Sequence, residues 1–208
     1  MSTVARTTRT QTYGPERHGQ RMSYEEFASA PWQEGYRYEL IDGRIEVAPA
    51  ADLDQDSSNS WLYRRLDRYA DKHPEIINYV TMKPRVFIPA RPDVTCPEPD
   101  LAAYKDFPLK LPFTQRDWRD LSPFLVAEVL SLDAPNKDLV RNVELYRLVP
   151  SIAEYWIVDP RVDPDKPGLI VYRRRGQNWQ KPIRVAFGET YVTRHLPGFD
   201  LVMNPYLR

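Results

Sequence analysis

Two acidic positions carry the strongest chemical signal in this 208-residue chain. Glu128 lies inside Phe124-Leu125-Val126-Ala127-Glu128-Val129-Leu130, a continuous apolar run of strand length and the pattern of a strand covered on both faces. An ionised carboxylate left unpaired there costs on the order of 3–5 kcal/mol. Two readings account for it: the side chain sits at the wet end of its strand or pairs with an arginine, or it is held for a metal ion. Asp100 follows two prolines in Pro97-Glu98-Pro99-Asp100-Leu101. The prolines stiffen the chain and present the carboxylate at the mouth of a short strand, although a Pro-Asp dipeptide alone is an ordinary turn. Taken together, an Asp at a strand start and a Glu in a neighbouring apolar strand form an arrangement that binds Mg²⁺. That ion takes one or two carboxylates, a backbone carbonyl, and waters that a phosphate can replace.

A third carboxylate comes from a hairpin. Tyr36 to Ile41 and Arg44 to Val47 flank Asp42-Gly43, the dipeptide of a two-residue type I′ turn, in which both central residues need positive φ. The register of that turn sets Leu40 opposite Ile45 and Tyr38 opposite Val47, and on the other face it sets Glu39 opposite Glu46. Either Arg37 and Arg44 neutralise the facing acids diagonally, or one acid is reserved for a cation or a catalytic role.

The elements that position these groups read as a mixed α/β chain. Residues 1–20 are rich in Thr and Arg, offer little apolar surface and are expected to form a mobile tail, leaving one domain over 21–208. Ser23 with Glu26 forms a capping box for a short helix ending by Pro31. Leu62, Leu66 and Tyr69 recur at helical spacing between Ser57 and Lys72. Strands are expected at Tyr79 to Ile88, broken by Pro84, and at Leu101 to Tyr104. A loop over 105–120 follows, then the apolar strand, then a helix from Lys137 to Leu148. Further strands run over Glu154 to Val158, Leu169 to Arg173, Trp179 to Phe187 and Tyr191 to Thr193, the last pairs as hairpins around Gly176 and Gly188. The architecture is a central mixed sheet flanked by a few helices, with additional C-terminal hairpins.

Composition narrows the function classes. Lys plus Arg and Asp plus Glu are 29 each, so a polyanion partner must meet a local patch rather than a global basic excess. The single Cys96 excludes an intramolecular disulfide and any multi-cysteine metal cluster, and fits a reducing compartment. His18, His73 and His195 show no metal-ligand spacing. No apolar run reaches the ~20 residues of a membrane helix, and the expectation is a cytoplasmic protein without membrane contact. Arg173-Arg174-Arg175 beside Gly176 can grip phosphate or form a solvated turn. Trp32, Trp118 and Trp179 can stack on bases or simply pack.

Several spaced motifs in order carry a resemblance. They are Tyr38-Glu39-Leu40-Ile41-Asp42-Gly43, Pro99-Asp100-Leu101, Glu128-Val129-Leu130-Ser131, and Asp138 with Tyr146 eight residues on. Glu154-Tyr155-Trp156-Ile157-Val158-Asp159-Pro160 and Leu196-Pro197-Gly198 complete the set. From about Met22 to Val202 the chain resembles the Uma-two family, small proteins of the restriction-endonuclease-like, PD-(D/E)xK-type fold described as nucleases. The resemblance implies a metal site for Mg²⁺ or Mn²⁺ built from Asp100, Glu128 and the main-chain carbonyl of Val129. Glu39 would be an auxiliary acid, DNA the substrate and a homodimer the assembly, an expectation shared by a strand-rich sheet whose edges need cover.

Departures from the family pattern fall at the catalytic complement. Two residues after Glu128 the fold normally has a lysine, and here stands Leu130. The family commonly supplies it from the next helix, four residues after the Asp matching Asp138, where this chain has Asn142. Losing one preorganised donor costs roughly 3 kcal/mol of transition-state stabilisation, leaving Asn142 or Lys137 in the water-orienting place. Lys137 and Arg141 are expected to need a long reach, Arg141 lying about 100° round a regular helix from Asn142. A histidine common at the start of the second helix is absent from Ser57 to Asn59. Three classes stay open: a metal-dependent DNA endonuclease, a binding module that kept the fold and lost turnover, and a hydrolase of small phosphoesters.

Overall fold

Ser23 opens the first helix as its spacing to Glu26 predicts. In the computed structural model, which describes residues 12–50, 53–89, 91, 94–131 and 135–207, its Oγ accepts the Glu26 N–H at 3.2 Å. Glu26 Oε2 accepts the Ser23 N–H at 3.0 Å, completing the capping box of α1 (Tyr24–Ser29). Alanine at Ser23 is expected to cost about 1 kcal/mol, seen as a lower urea midpoint at unchanged slope.

The hairpin of β1 (Tyr36–Ile41) and β2 (Arg44–Pro49) keeps the expected register, Leu40 opposite Ile45 and Glu39 opposite Glu46. Asp42 at φ 49° and Gly43 at φ 69° supply the left-handed pair that the turn requires. Residues 1–11 of the expected tail lie outside the described residues. From residue 12 on the chain packs along the segment after α1 and along the hairpin: the Tyr13 N–H donates to Pro31 O at 2.8 Å, and Gly19 N–H to Ile45 O at 2.7 Å. Backbone pairing and the Arg17 guanidinium 4.2 Å over the Tyr13 ring order a stretch that composition alone marks as solvated.

Helix α2 (Leu53–Lys72) starts one turn before Ser57 and buries Trp61, Leu62, Leu66 and Tyr69. It covers one face of a mixed sheet. The strands are β3 (Tyr79–Met82), β4 (Leu101–Tyr104), β5 (Leu125–Val129), β6 (Glu154–Asp159), β7 (Gly168–Arg175) and β8 (Asn178–Trp179), adjacent in that order, with β9 (Ile183–Val185) also on β7. Among the described residues of this sheet, only β5 and β6 run parallel. Their crossover holds a π-turn (Lys137–Arg141) that leads directly into α3 (Asn142–Arg147) on the opposite face. Strand alternation sorts the core: Leu125, Ala127 and Val129 pack under α2, whereas Val126 and Leu130 pack under α3. The outlying pair β10 (Thr190–Val192) and β11 (Asp200–Val202) adds Tyr191 and Leu201 to the α2 side.

Three expected elements differ. The strand from Tyr79 stops at Met82, ahead of Pro84, and Trp179 to Phe187 divides at Pro182, since proline has no N–H for the ladder. Gly188 is a turn but closes no hairpin, because β9 pairs with β7 and β10 with β11. Among the described residues, no helix is long and apolar enough to cross a membrane.

Candidate active site

Antiparallel pairing sets Leu101 opposite Ala127, and one further step of that register sets Asp100 opposite Glu128. Because Leu101 and Ala127 face α2, both acids face α3. They touch directly: the Asp100 N–H donates to Glu128 Oε2 at 3.2 Å, and the Val129 N–H donates to Asp100 Oδ2 at 2.9 Å. Asp100 is 2% and Glu128 1% exposed, so neither lies at a wet strand end.

Glu39 enters from β1 on the face away from Leu40. Its Oε1 accepts the Glu98 N–H at 3.1 Å, tying the proline-stiffened segment to the hairpin. The π-turn brings a fourth acid, Asp138. Its wider winding, with the Asn142 N–H on Lys137 O, carries Lys137 and Asn142 to one side of the crossover.

Cations and amides weave the acids together. Arg37 Nη1 donates to Asp100 Oδ1 at 2.6 Å. Lys137 Nζ lies 3.3 Å from Glu39 Oε1 and 3.9 Å from Asp138 Oδ1, and Arg141 donates to Glu39 Oε2. Asn142 Nδ2 donates both to Glu128 Oε1 at 2.9 Å and to Asp138 Oδ1 at 3.1 Å, and the Tyr146 hydroxyl donates to Glu128 Oε1 at 3.2 Å. Glu128 therefore rests on neutral donors and not on an arginine.

Glu39, Asp100, Glu128, Lys137 and Asn142 thus converge, and Val129 joins them through its backbone. The long reach expected of Lys137 and Arg141 is not needed, since Glu39 comes to them and the π-turn changes the helix phase. The diagonal neutralisation of Glu39 and Glu46 does not form. Arg37 turns to Asp100, Arg44 donates to Gly19 O at 2.8 Å, and Glu46 stays near the surface 3.9 Å from His18. Sequence reasoning did not assign Arg37, Asp138, Arg141 or Tyr146 to the site. Two signals pointed there: Arg37 sits two residues before Glu39 on the same strand face, and Asp138 sits four before Asn142.

Electrostatics follow from burial and crowding. Burial pushes the Glu128 carboxyl well above the usual carboxylate range, Asp138, Asp100 and Glu39 push it further, and Lys137 opposes them. Asp138 moves in the same direction, first from burial and then from Asp100 and Glu39, against Lys137 and Arg37. Burial also works against the Glu39 anion, yet Lys137 and Arg141 together hold its carboxyl below the usual value.

These residues fit a hard divalent cation. Their electron-pair donors are carboxylate oxygens, the kind Mg²⁺ prefers, and both oxygens of Asp100, Glu128 and Glu39 already accept from protein groups. Four buried carboxylates face three cations, and the neighbouring acids add to the burial that raises Glu128. Arg37 grips Asp100 through Nη1 at 2.6 Å while its Nε is buried without a partner. Among the described residues no three acidic, histidine or cysteine side chains are grouped closely enough to hold an ion as they stand. An ion between these acids would first need Arg37 to give up Asp100 Oδ1, which it holds at 2.6 Å.

No curated protein matches the chain. A crystal structure described as a putative nuclease belonging to DUF820 from Anabaena variabilis superimposes with a TM-score of 0.63 at 16% identity, covering 88% of this chain and 95% of that one. The central mixed sheet with few helices is the restriction-endonuclease-like fold. A family model described as "Putative restriction endonuclease" matches residues 24–204, and the chain belongs to that family, Uma2.

Proposed function

We propose that this protein is a Mg²⁺-dependent endonuclease, with Mn²⁺ able to replace Mg²⁺, that hydrolyses DNA phosphodiesters as a homodimer. The observation that carries the reading is the direct pairing of Asp100 with Glu128 across β4 and β5, inside a fold and family of nuclease type. When bound, the ion supplies an activated water and stabilises charge developing on the phosphate. Asp100 and Glu128 would hold it, with the Val129 carbonyl completing the protein's share. Asn142 Nδ2 fixes the orientation of Glu128 through its hydrogen bond at 2.9 Å. Lys137 and Arg141 keep Glu39 ionised, and Lys137, whose ammonium lies 3.3 Å from Glu39, would take the water-orienting place.

A second reading rests on Asn142, which stands where a charged donor is expected. With Arg37 on Asp100 and an uncharged amide on Glu128, the same fold serves as a DNA-binding or partner-binding module. Plasmid nicking separates the two. Wild type is expected to nick with Mg²⁺ or Mn²⁺ and to stop in EDTA, and Asn142→Lys is expected to nick about a hundredfold faster. An ammonium there answers the surplus acid charge and adds a donor. A wild type and an Asn142→Lys variant that are both inert would leave the binding module.

A further inference from the structure

The arginine run at the end of β7 divides between two faces of the sheet. Arg174 turns to the α3 side, where it donates to the carbonyls of Tyr146, Arg147, Val149 and Ile152 and lies 4.6 Å over the Trp179 ring. Its role there is structural. Alternation sends Arg173 and Arg175 to the other side, where they line a cavity of about 400 Å³ together with Gln180, Arg194 and His195.

That cavity gathers positive charge that no ion pair offsets. Among the described residues none of Arg173, Arg175 and Arg194 takes part in an ion pair. The neighbouring acid, Glu154, is buried and already accepts from Trp156 Nε1 at 2.7 Å, from the Tyr191 hydroxyl at 3.0 Å and from the Thr193 hydroxyl. His195 is fixed by its N–H on Thr193 Oγ1 at 3.2 Å and by edge contact with Phe124. Its Nε2 is buried with no partner. Burial holds the imidazole below its usual pKa, Glu154 pulls the other way, and Arg194 and Arg173 press it lower.

Three unpaired guanidiniums, a side-chain amide and an unsatisfied imidazole nitrogen around one concavity are what a phosphate group satisfies, since guanidinium binds phosphate through paired, charge-assisted hydrogen bonds. We propose that this cavity is a phosphate-binding site, with Arg173, Arg175 and Arg194 supplying charge and Gln180 and His195 supplying hydrogen bonds. It is separate from the carboxylate centre. Arg173 is level with Glu154 and hence with Leu125, three residues or about 10 Å along the sheet from Glu128, and on the opposite face. The phosphate is one in a nucleic-acid backbone or a free phosphoryl group, which share this chemistry. The site does not depend on the nuclease reading.

The test uses the full chain in EDTA, so that metal-dependent binding is absent. Inorganic phosphate and, separately, a short DNA duplex are titrated calorimetrically into wild type, into Arg173→Gln/Arg194→Gln, and into Arg64→Gln/Arg68→Gln. The last pair removes the same charge from the exposed surface of α2, and circular dichroism checks that all three are folded. The cavity pair is expected to weaken at least one probe roughly tenfold or more, with the α2 pair close to wild type. Loss of inorganic phosphate binding assigns a free phosphoryl group. Loss confined to the duplex, with a salt slope shallower by about two, assigns a nucleic-acid backbone. Equal loss in both variant pairs, or a wild type that binds neither probe, overturns the proposal whatever the nicking assay shows.

Discussion

Glu128→Gln is expected to slow Mg²⁺-dependent plasmid nicking by roughly a thousandfold, about 4 kcal/mol of lost transition-state stabilisation, in a protein that stays folded. The amide keeps the shape of the side chain but removes the charge that a divalent ion needs. Stability should move little, by about 1 kcal/mol or less, because the folded protein already disfavours the ionised form. Burial and the surrounding acids lift the Glu128 carboxyl well above its usual range. One acceptor is given up, since a glutamine oxygen cannot face both the Asp100 N–H and the donors Asn142 and Tyr146. Urea unfolding alongside the nicking assay separates the two effects. Equal nicking by variant and wild type would remove Glu128 from the chemistry.

Lys137→Met is expected to act in the opposite way, costing about 3–5 kcal/mol of stability, the scale of stripping one partner from a buried ion cluster. The ammonium side chain is 15% exposed, and it is the largest favourable influence on the charge of Glu39. The pH window follows from the directions of the shifts. Glu39 sits below its ordinary 4.5, so its contribution is present above that value and lost as pH falls through the folded value. Lys137 sits above its ordinary 10.5, so its contribution is complete below that value and lost as pH rises through the folded one. The gap between variant and wild type is therefore widest between these limits and narrows in acid. Added Mg²⁺ should restore part of the loss, because a divalent ion answers the same surplus of acids. Urea midpoints with and without Mg²⁺ measure both effects, and a variant as stable as wild type at neutral pH would contradict the assigned electrostatics.

The parts of this molecule legible in its sequence are those set by short-range geometry. Asp42-Gly43 fixes a hairpin register because positive φ at two adjacent residues admits one turn, and Ser23 with Glu26 fixes a helix start. The apolar run around Glu128 marks a strand covered on both faces, while the register that puts Asp100 and Glu128 on the same side belongs to the pairing of β4 with β5. The missing parts depend on contacts distant in sequence or on irregular backbone. Arg37 reaches an acid 63 residues away, and no local pattern encodes that choice. The π-turn over Lys137–Arg141 has no signature in hydrophobic spacing, so a regular helix misplaces Lys137, Arg141 and Asn142 relative to one another. Residues 12–20 are ordered by backbone pairing with the hairpin, which composition does not register. The net charge of zero hides the same division, with Glu39, Asp100 and Asp138 gathered around Glu128 on one face and unpaired arginines around His195 on the other.

Anomalous diffraction from crystals soaked in Mn²⁺ tests the metal centre most directly. The account predicts a peak bound by Asp100 and Glu128, with Arg37 withdrawn from Asp100 Oδ1. A peak elsewhere, or none between these two carboxylates at a Mn²⁺ concentration that supports nicking, would contradict it.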